Sequence, residues 1–260
     1  MMPNQAHPGT RRSRDLQRMF AAVAGRYDLL NHLLSANLDR RWRQRTALAA
    51  MPSRDRKPAC RPAGRVAATS AITVVDVCTG TGDLAVEVLR CAPRARVLAC
   101  DYCRPMLERA REKFARGGLA QRAALVETNV LALPLPDASA DAATCAFGLR
   151  NLDEPGRCLA EMVRVLRPGG RAAVLEFHRP CDQGPLAGLF SLYFHHVLPR
   201  LGGWISRGRH GGYEYLVTSI QDFGPPERVA DAMREAGLDR VRVEPLAGGI
   251  ASVYVGQKPR

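Results

Sequence analysis

A continuous apolar run, ITVVDV at residues 72–77, breaks into a glycine loop, CTGTGD at 78–83, and then into a helical pattern. A run that is apolar at successive positions has no solvent face. It predicts a strand buried on both sides, as in a sheet covered by helices on each face. Gly80 and Gly82 let the backbone turn sharply and approach a ligand, and Asp83 suits the free N–H groups at a helix start. The alternation then continues. ARVLACD (95–101) reads as a second strand, and Pro105 suits the first turn of a helix running to about Arg116. AALVET and DAATCAF follow as the third and fourth strands. Asp153 and Pro155 open a helix expected to run to Arg167 and stop at Pro168-Gly169-Gly170, ahead of a fifth strand, RAAVLEF. PPERVADAMREAG is a helix closed by Gly237, and RVRVEPL with IASVYVGQ makes a terminal β pair. The succession predicts the α/β class: a doubly wound, mostly parallel sheet with a terminal antiparallel strand.

Ahead of the first strand, residues 1–13 read as a disordered tail and 14–51 as an N-terminal helical cap. Leu16, Met19/Phe20, Val23, Tyr27, Leu30 and Leu34 share one helical face, interrupted near Gly25, and a second helix spans about Leu38–Met51. Residues 52–70, rich in Pro, Arg and Ala without period, read as a flexible loop. The main domain is expected over 71–260, with a substrate-covering insertion at about 184–220. No uninterrupted apolar run reaches the ~18 residues of a spanning helix, and the first residues lack the apolar core of a secretory signal. Eight scattered cysteines suit a reducing compartment. Cys100 and Cys103 form a lone C-x-x-C without a second pair, so no metal site is expected. The net charge is +13, but 35 of the 38 basic residues are arginines dispersed along the chain. That pattern reads as a compositional skew, with no nucleic acid expected as partner, and it leaves room for an anionic membrane surface.

The loop also fits a dinucleotide pattern. Gly80-Thr81-Gly82-Asp83-Leu84-Ala85 satisfies G-x-G-x-x-A, and Asp101 lies 19 residues beyond Gly82, where an acid binds ribose hydroxyls. An NAD-dependent oxidoreductase is therefore the rival reading. Against it, Asp76 and Asp83 flank the loop with negative charge, a poor setting for pyrophosphate and a good one for a sulfonium and an α-ammonium group. The segment Arg164-Val165-Leu166-Arg167-Pro168-Gly169-Gly170-Arg171 resembles the lead into strand five of class I methyltransferases, which favours S-adenosylmethionine.

Longer words agree on one family. Phe20…Val23-Ala24…Arg26-Tyr27-Asp28-Leu29-Leu30-Asn31, then Ser35-Ala36-Asn37-Leu38-Asp39-Arg40-Arg41-Trp42-Arg43, then Phe147-Gly148-Leu149-Arg150-Asn151 occur in order. Leu175-Glu176-Phe177, Leu198-Pro199…Gly202, Tyr213-Glu214-Tyr215-Leu216…Ser219-Ile220 and Leu246-Ala247-Gly248-Gly249-Ile250-Ala251 continue the series. The chain resembles the ubiquinone/menaquinone biosynthesis C-methyltransferases over about residues 16–258, the loop at 52–70 excepted. The Cys-Thr-Gly-Thr-Gly-Asp loop is nearer the demethylmenaquinone-methylating branch.

The resemblance implies a Rossmann-like class I fold that moves a methyl group from S-adenosylmethionine to a ring carbon of a prenylated quinol. Demethylmenaquinol is the expected acceptor, and the methoxy-polyprenyl benzoquinol of the ubiquinone pathway is the alternative. Thr81, Asp101, Asn129 and Val130 would contact the cofactor, with Asp76, Gly80 and Gly82 shaping its loop. Ala146 stands in the same set, where the family often carries Ser. Arg150 would stabilise a phenolate or orient a water that takes its proton, unless it pairs with Asp153 or Glu154. Tyr27 would act beside it from the cap. Tyr213, Tyr215 and Asn151 would line the quinol pocket, although Glu214 stands where many members have Arg. His195, His196 and Glu176 are further candidate bases. The apolar stretch from Leu186 to Ile205 suits an isoprenoid tail. A cytoplasmic protein held reversibly at the inner membrane face is expected, and a monomer and a homodimer both stay open.

Overall fold

The computed structural model describes residues 11–25, 27–35, 37–51, 71–178 and 211–260. Its centre is a seven-stranded sheet in the order β3-β2-β1-β4-β5-β7-β6. The strands are β1 (Ile72–Val77), β2 (Ala95–Asp101), β3 (Ala123–Glu127), β4 (Ala140–Ala146), β5 (Leu166–Phe177), β6 (Asp239–Leu246) and β7 (Ala251–Gln257). β1 pairs in parallel with both β2 and β4, while β7 runs antiparallel to β5 and β6. The helices are α1 (Arg11–Val23), α2 (Tyr27–Leu34), α3 (Leu38–Ala50), α4 (Asp83–Cys91), α5 (Arg104–Arg116), α6 (Pro155–Val165), α7 (Gly211–Phe223) and α8 (Pro226–Glu235).

Alternate residues of β1 show why that strand had to be apolar throughout. Val75 and Val77 pack with Leu159 and Met162 of α6 and Val229 and Met233 of α8. Ile72 and Val74 pack with Ala47 and Ala50 of α3, Leu84 and Val88 of α4 and Phe114 of α5. Both faces are thus covered, as a doubly wound sheet requires.

Three expected boundaries move. α1 begins at Arg11, inside the stretch read as a disordered tail. α6 ends at Val165 instead of Arg167, because Leu166 already pairs with Ala140, and an irregular register then carries the strand through Pro168-Gly169-Gly170 to Arg171 opposite Ala142. The third change concerns the cap. α3 packs against α4, β4 and β5, so it belongs to the helical layer on one sheet face, and of the expected cap α1 and α2 alone lie over the ligand end among the described residues. Trp42 explains why: it sits among Phe147 and Phe177 at centroid distances of 6.5 and 6.1 Å, and those two rings stack at 4.4 Å. The 52–70 loop and residues 184–210 of the expected insertion lie outside the described residues, and 211–220 fall in α7.

Candidate active site

The strand order reverses between β1 and β4, and at such a point an open α/β sheet holds its ligand beyond the carboxyl ends of the strands. Two residues at those ends, Cys78 (φ 53) and Phe147 (φ 58), sit in the left-handed region. That conformation costs a non-glycine residue about 1–2 kcal/mol, and it accumulates where a site dictates the backbone. β1 and β4 pair as far as Val77 opposite Cys145, so the two kinks are neighbours. Gly148 lets them meet, since a Cβ there would stand 2.4 Å from the Cβ of Cys78.

A cavity of about 310 Å³ opens at this junction. Gly80, Asp101, Asn129, Val130 and Ala146 line it from the sheet, Asn151 from the turn after β4, and Tyr27, Leu16 and Phe20 from the two N-terminal helices. The helices reach it by packing on the start of α5: Tyr27 and Phe20 cluster with Ala24, Cys103 and Met106, and the Gln17 side-chain amide donates to the Tyr102 carbonyl at 3.3 Å. Among the described lining residues the guanidinium is that of Arg157, which also donates to the Leu131 carbonyl at 3.1 Å.

Asp101 is pinned by two backbone amides, Gly80 N–H to Oδ2 at 2.7 Å and Cys103 N–H to Oδ1 at 2.8 Å. Its carboxylate keeps lone pairs for ligand hydroxyls. Burial raises its pKa against the pull of those amides. Asp76 lies beneath the loop, 1% exposed, accepting the Thr144 and Thr79 hydroxyls at 2.6 Å each. Burial pushes it up to about 6, with the two hydroxyls working the other way.

Nothing stands within 4 Å of where a Gly80 Cβ would be, although its φ is +55. That open ground on the cavity wall is the cradle a close-approaching ligand needs. The loop amides tell which ligand. Thr79 N–H donates to the Cys100 carbonyl, Gly80 N–H to Asp101 and Gly82 N–H to the Thr79 carbonyl. A pyrophosphate held by these three amides would need them free. What remains is acceptor-rich and negative, which fits ribose hydroxyls, a sulfonium and an ammonium, and so fits S-adenosylmethionine.

Other expected residues sit behind the cavity wall. Thr81 and Gly82 face away from it: a Gly82 Cβ would lie 2.9 Å from the Phe114 ring, and the Thr81 hydroxyl donates to Asp28. Arg150 is buried and turned inward. Its guanidinium pairs with Glu176 at 2.6 Å, not with Asp153 or Glu154, donates to the Phe147 carbonyl at 2.8 Å and lies 5.5 Å over the Phe177 ring. Glu176 also accepts the Phe177 amide at 2.9 Å and the Arg150 amide at 3.3 Å. Fully buried and so engaged, it is not a free base in the cavity. Asn151 donates to the Phe147 carbonyl at 3.1 Å and accepts the Tyr215 hydroxyl at 2.9 Å, which brings α7 to the cavity's edge. Tyr213 is on α7, but its side chain, like His195 and His196, lies outside the described residues.

Sequence reasoning missed Lys113 of α5, whose ammonium meets Thr81, Asp28 and Asp83. The only signal was its being one of three lysines among 38 basic residues. The same region brings His32, Asp39 and Asp83 within 4.8 Å, yet Arg43 pairs with Asp39 and Lys113 with Asp83, so positive charge is already supplied there.

Residues 9–258 match the model of the ubiE/COQ5 methyltransferase family. A demethylmenaquinone methyltransferase of Deinococcus radiodurans is 44% identical over 243 residues, covering 94% of this chain and 92% of that protein. A ubiquinone/menaquinone biosynthesis C-methyltransferase of Syntrophotalea carbinolica is 41% identical over 248 residues, covering 95% of each. Among solved structures, a SAM-dependent methyltransferase of Thermotoga maritima superposes with a TM-score of 0.59 at 17% identity, covering 93% of this chain and 99% of that one, a likeness of fold.

Proposed function

The chain belongs to the ubiE/COQ5 methyltransferase family, and we infer from that membership and from the cavity that it methylates a ring carbon of a prenylated quinol, demethylmenaquinol. It is an S-adenosylmethionine-dependent C-methyltransferase, and the NAD-dependent reading is dropped. The observation that carries the assignment is a single cavity in which Gly80, Asp101, Asn129 and Val130 meet Tyr27 and Asn151. The first four are the proposed cofactor wall and the last two the proposed quinol wall.

S-adenosylmethionine, when bound, would supply a methyl group activated by a positively charged sulfur for a carbon nucleophile to take. The protein's part is alignment and charge. Asp101 would hold ribose hydroxyls, and Asp76 keeps negative potential under the loop. Tyr27 and Asn151 would fix the ring so that its carbon lies in line, the kind of positioning that supplies several kcal/mol of a barrier. Arg150 is proposed as a positioning residue: through Phe147 and Glu176 it sets the turn that presents Asn151. The α1 helix, with Leu16 and Phe20 on the cavity and Arg14 and Arg18 exposed, is the proposed face toward anionic lipid, where a prenyl tail resides. No helix among the described residues is long and apolar enough to cross a membrane.

The test is transfer of radiolabel from S-adenosylmethionine into reduced short-tail demethylmenaquinol. Label in the quinol, falling sharply in Asn151→Ala, is the expected result. Cofactor binding without labelled quinol overturns the acceptor, and label moving instead to the benzoquinol of the ubiquinone pathway selects the alternative.

A further inference from the structure

Lys113 is one of three lysines in a chain with 35 arginines. Its side chain is 20% exposed, and its ammonium is shared by three acceptors from three parts of the chain: Asp28 Oδ2 at 2.7 Å, Thr81 Oγ1 at 3.3 Å and Asp83 Oδ1. The other described lysine has the same habit. Lys258 Nζ donates to the carbonyls of Val163, Arg164 and Leu166 at 2.8, 3.3 and 2.7 Å. Three acceptors converging on a point suit a compact ammonium with three donors, and a planar guanidinium fork would not reach them all.

The position of the three partners gives the cluster a meaning beyond holding α5. Thr81 follows Gly80, which lines the cavity, and Asp28 follows Tyr27, which lines it from the other side. Thr81 also donates to Asp28 directly. None of Lys113, Asp28, Thr81 and Asp83 lines the cavity itself, so the cluster ties the cofactor wall to the quinol wall from behind.

We propose that Lys113, through Asp28 and Thr81, is a positioning residue that couples the cofactor loop to α2, so that filling the cofactor side seats Tyr27 on the quinol side. The proposal rests on the methyl-transfer reading above. Coupling of this kind is reciprocal, and in proteins it is typically worth about 5- to 150-fold in affinity.

The experiment uses the full chain and S-adenosylhomocysteine as the cofactor-side probe. Amide exchange of the α2 peptide, residues 27–34, is followed with and without the probe, beside calorimetric binding, in the wild type, Lys113→Met and the milder Asp28→Asn. The expected result is that the probe slows α2 exchange severalfold in the wild type and leaves it unchanged in both variants, which still bind the probe. Lys113→Arg is expected to restore only part of the protection. A purely structural role predicts faster α2 exchange in the variants but the same slowing by the probe, and that result overturns the proposal. So does a wild type that binds the probe with no change at α2, in which case the methyl-transfer reading still stands. Failure of the wild type to bind the probe at all overturns both. If Lys113→Met does not fold, Asp28→Asn carries the same comparison, because it removes one charge from a side chain that is one-third exposed.

Discussion

Two buried carboxylates near the cavity have opposite consequences when altered. Asp76 titrates at about 6 in the folded chain because burial disfavours its charge, against about 3.9 when unfolded. A raised folded pKa contributes stability that is complete below the unfolded value and lost as pH rises through 6. The two values differ by about 2 units, on the order of 3 kcal/mol. Urea titrations at pH 4 and pH 7 are therefore expected to give a loss for the wild type that Asp76→Asn does not share. In the same variant, affinity for the cationic cofactor drops at pH 7, where Asp76 is charged. An identical pH slope in both proteins would remove Asp76 from the account. Glu176 is charge-paired with Arg150, so what matters there is the loss of one partner. Arg150→Ala strands a buried charge, and breaking such pairs costs about 3–5 kcal/mol. The double change Arg150→Met with Glu176→Leu is expected to recover most of the melting temperature while activity stays low. Recovery of activity as well would deny Arg150 its positioning role. The place of Asp101 and Gly80 on the cavity was legible in the sequence because one ends β2 and the other stands three residues past β1. Arg150 was legible as a residue of consequence but not in its direction, since its partner, Glu176, is 26 positions away on the next strand.

At the level of elements, the glycines separate fold from function. Gly148→Ala drives a methyl group into Cys78 across two strained strand ends, and denaturation should report a loss of several kcal/mol, as for an overpacked core with backbone in the way. Gly80→Ala meets empty space and should cost only about 1 kcal/mol for its left-handed backbone, yet weaken S-adenosylhomocysteine binding at least tenfold in calorimetry. Comparable stability losses in the two variants would mean that the ground beside Gly80 is not a cradle. The strands and the doubly wound layering were readable because a doubly covered sheet leaves its mark at every residue of β1. The α6–β5 junction was not: Pro168-Gly169-Gly170 carries the chemistry of a turn, and only the pairing of Leu166 with Ala140 shows that the strand has already begun. α3 misled for a related reason. Its sequence, LDRRWRQRTALAA, is mostly polar, and the buried set of Trp42, Arg43, Thr46, Ala47 and Ala50 makes sense only beside α4 and β5. Arg43 in particular is buried because it lies 5.3 Å over the Phe147 ring and pairs with Asp39, whose carboxyl it helps hold below the usual range although burial pulls it up.

For the molecule as a whole, the charge of +13 has a place to act if α1 faces lipid. Flotation with vesicles containing phosphatidylglycerol should recover the protein at low salt and lose it as the Debye length shrinks. Replacing Arg14 and Arg18 by Gln should weaken that binding roughly 30-fold, at about 1 kcal/mol per basic residue near the surface. Protein that stays at the bottom at every salt concentration, or variants that float as well as the wild type, would put the charge down to composition. The placement of α3 has a further consequence, one of timing. Trp42 leaves the ribosome early, but its neighbours Phe147 and Phe177 come more than a hundred residues later, a delay on the order of ten seconds at roughly 5–20 residues per second. β1, α4 and α5 emerge sooner and cover Ala47 and Ala50, but the Trp42 ring still lacks its own neighbours. The nascent chain must carry an exposed tryptophan until its fourth and fifth strands arrive, so a side chain made early is among the last to be enclosed.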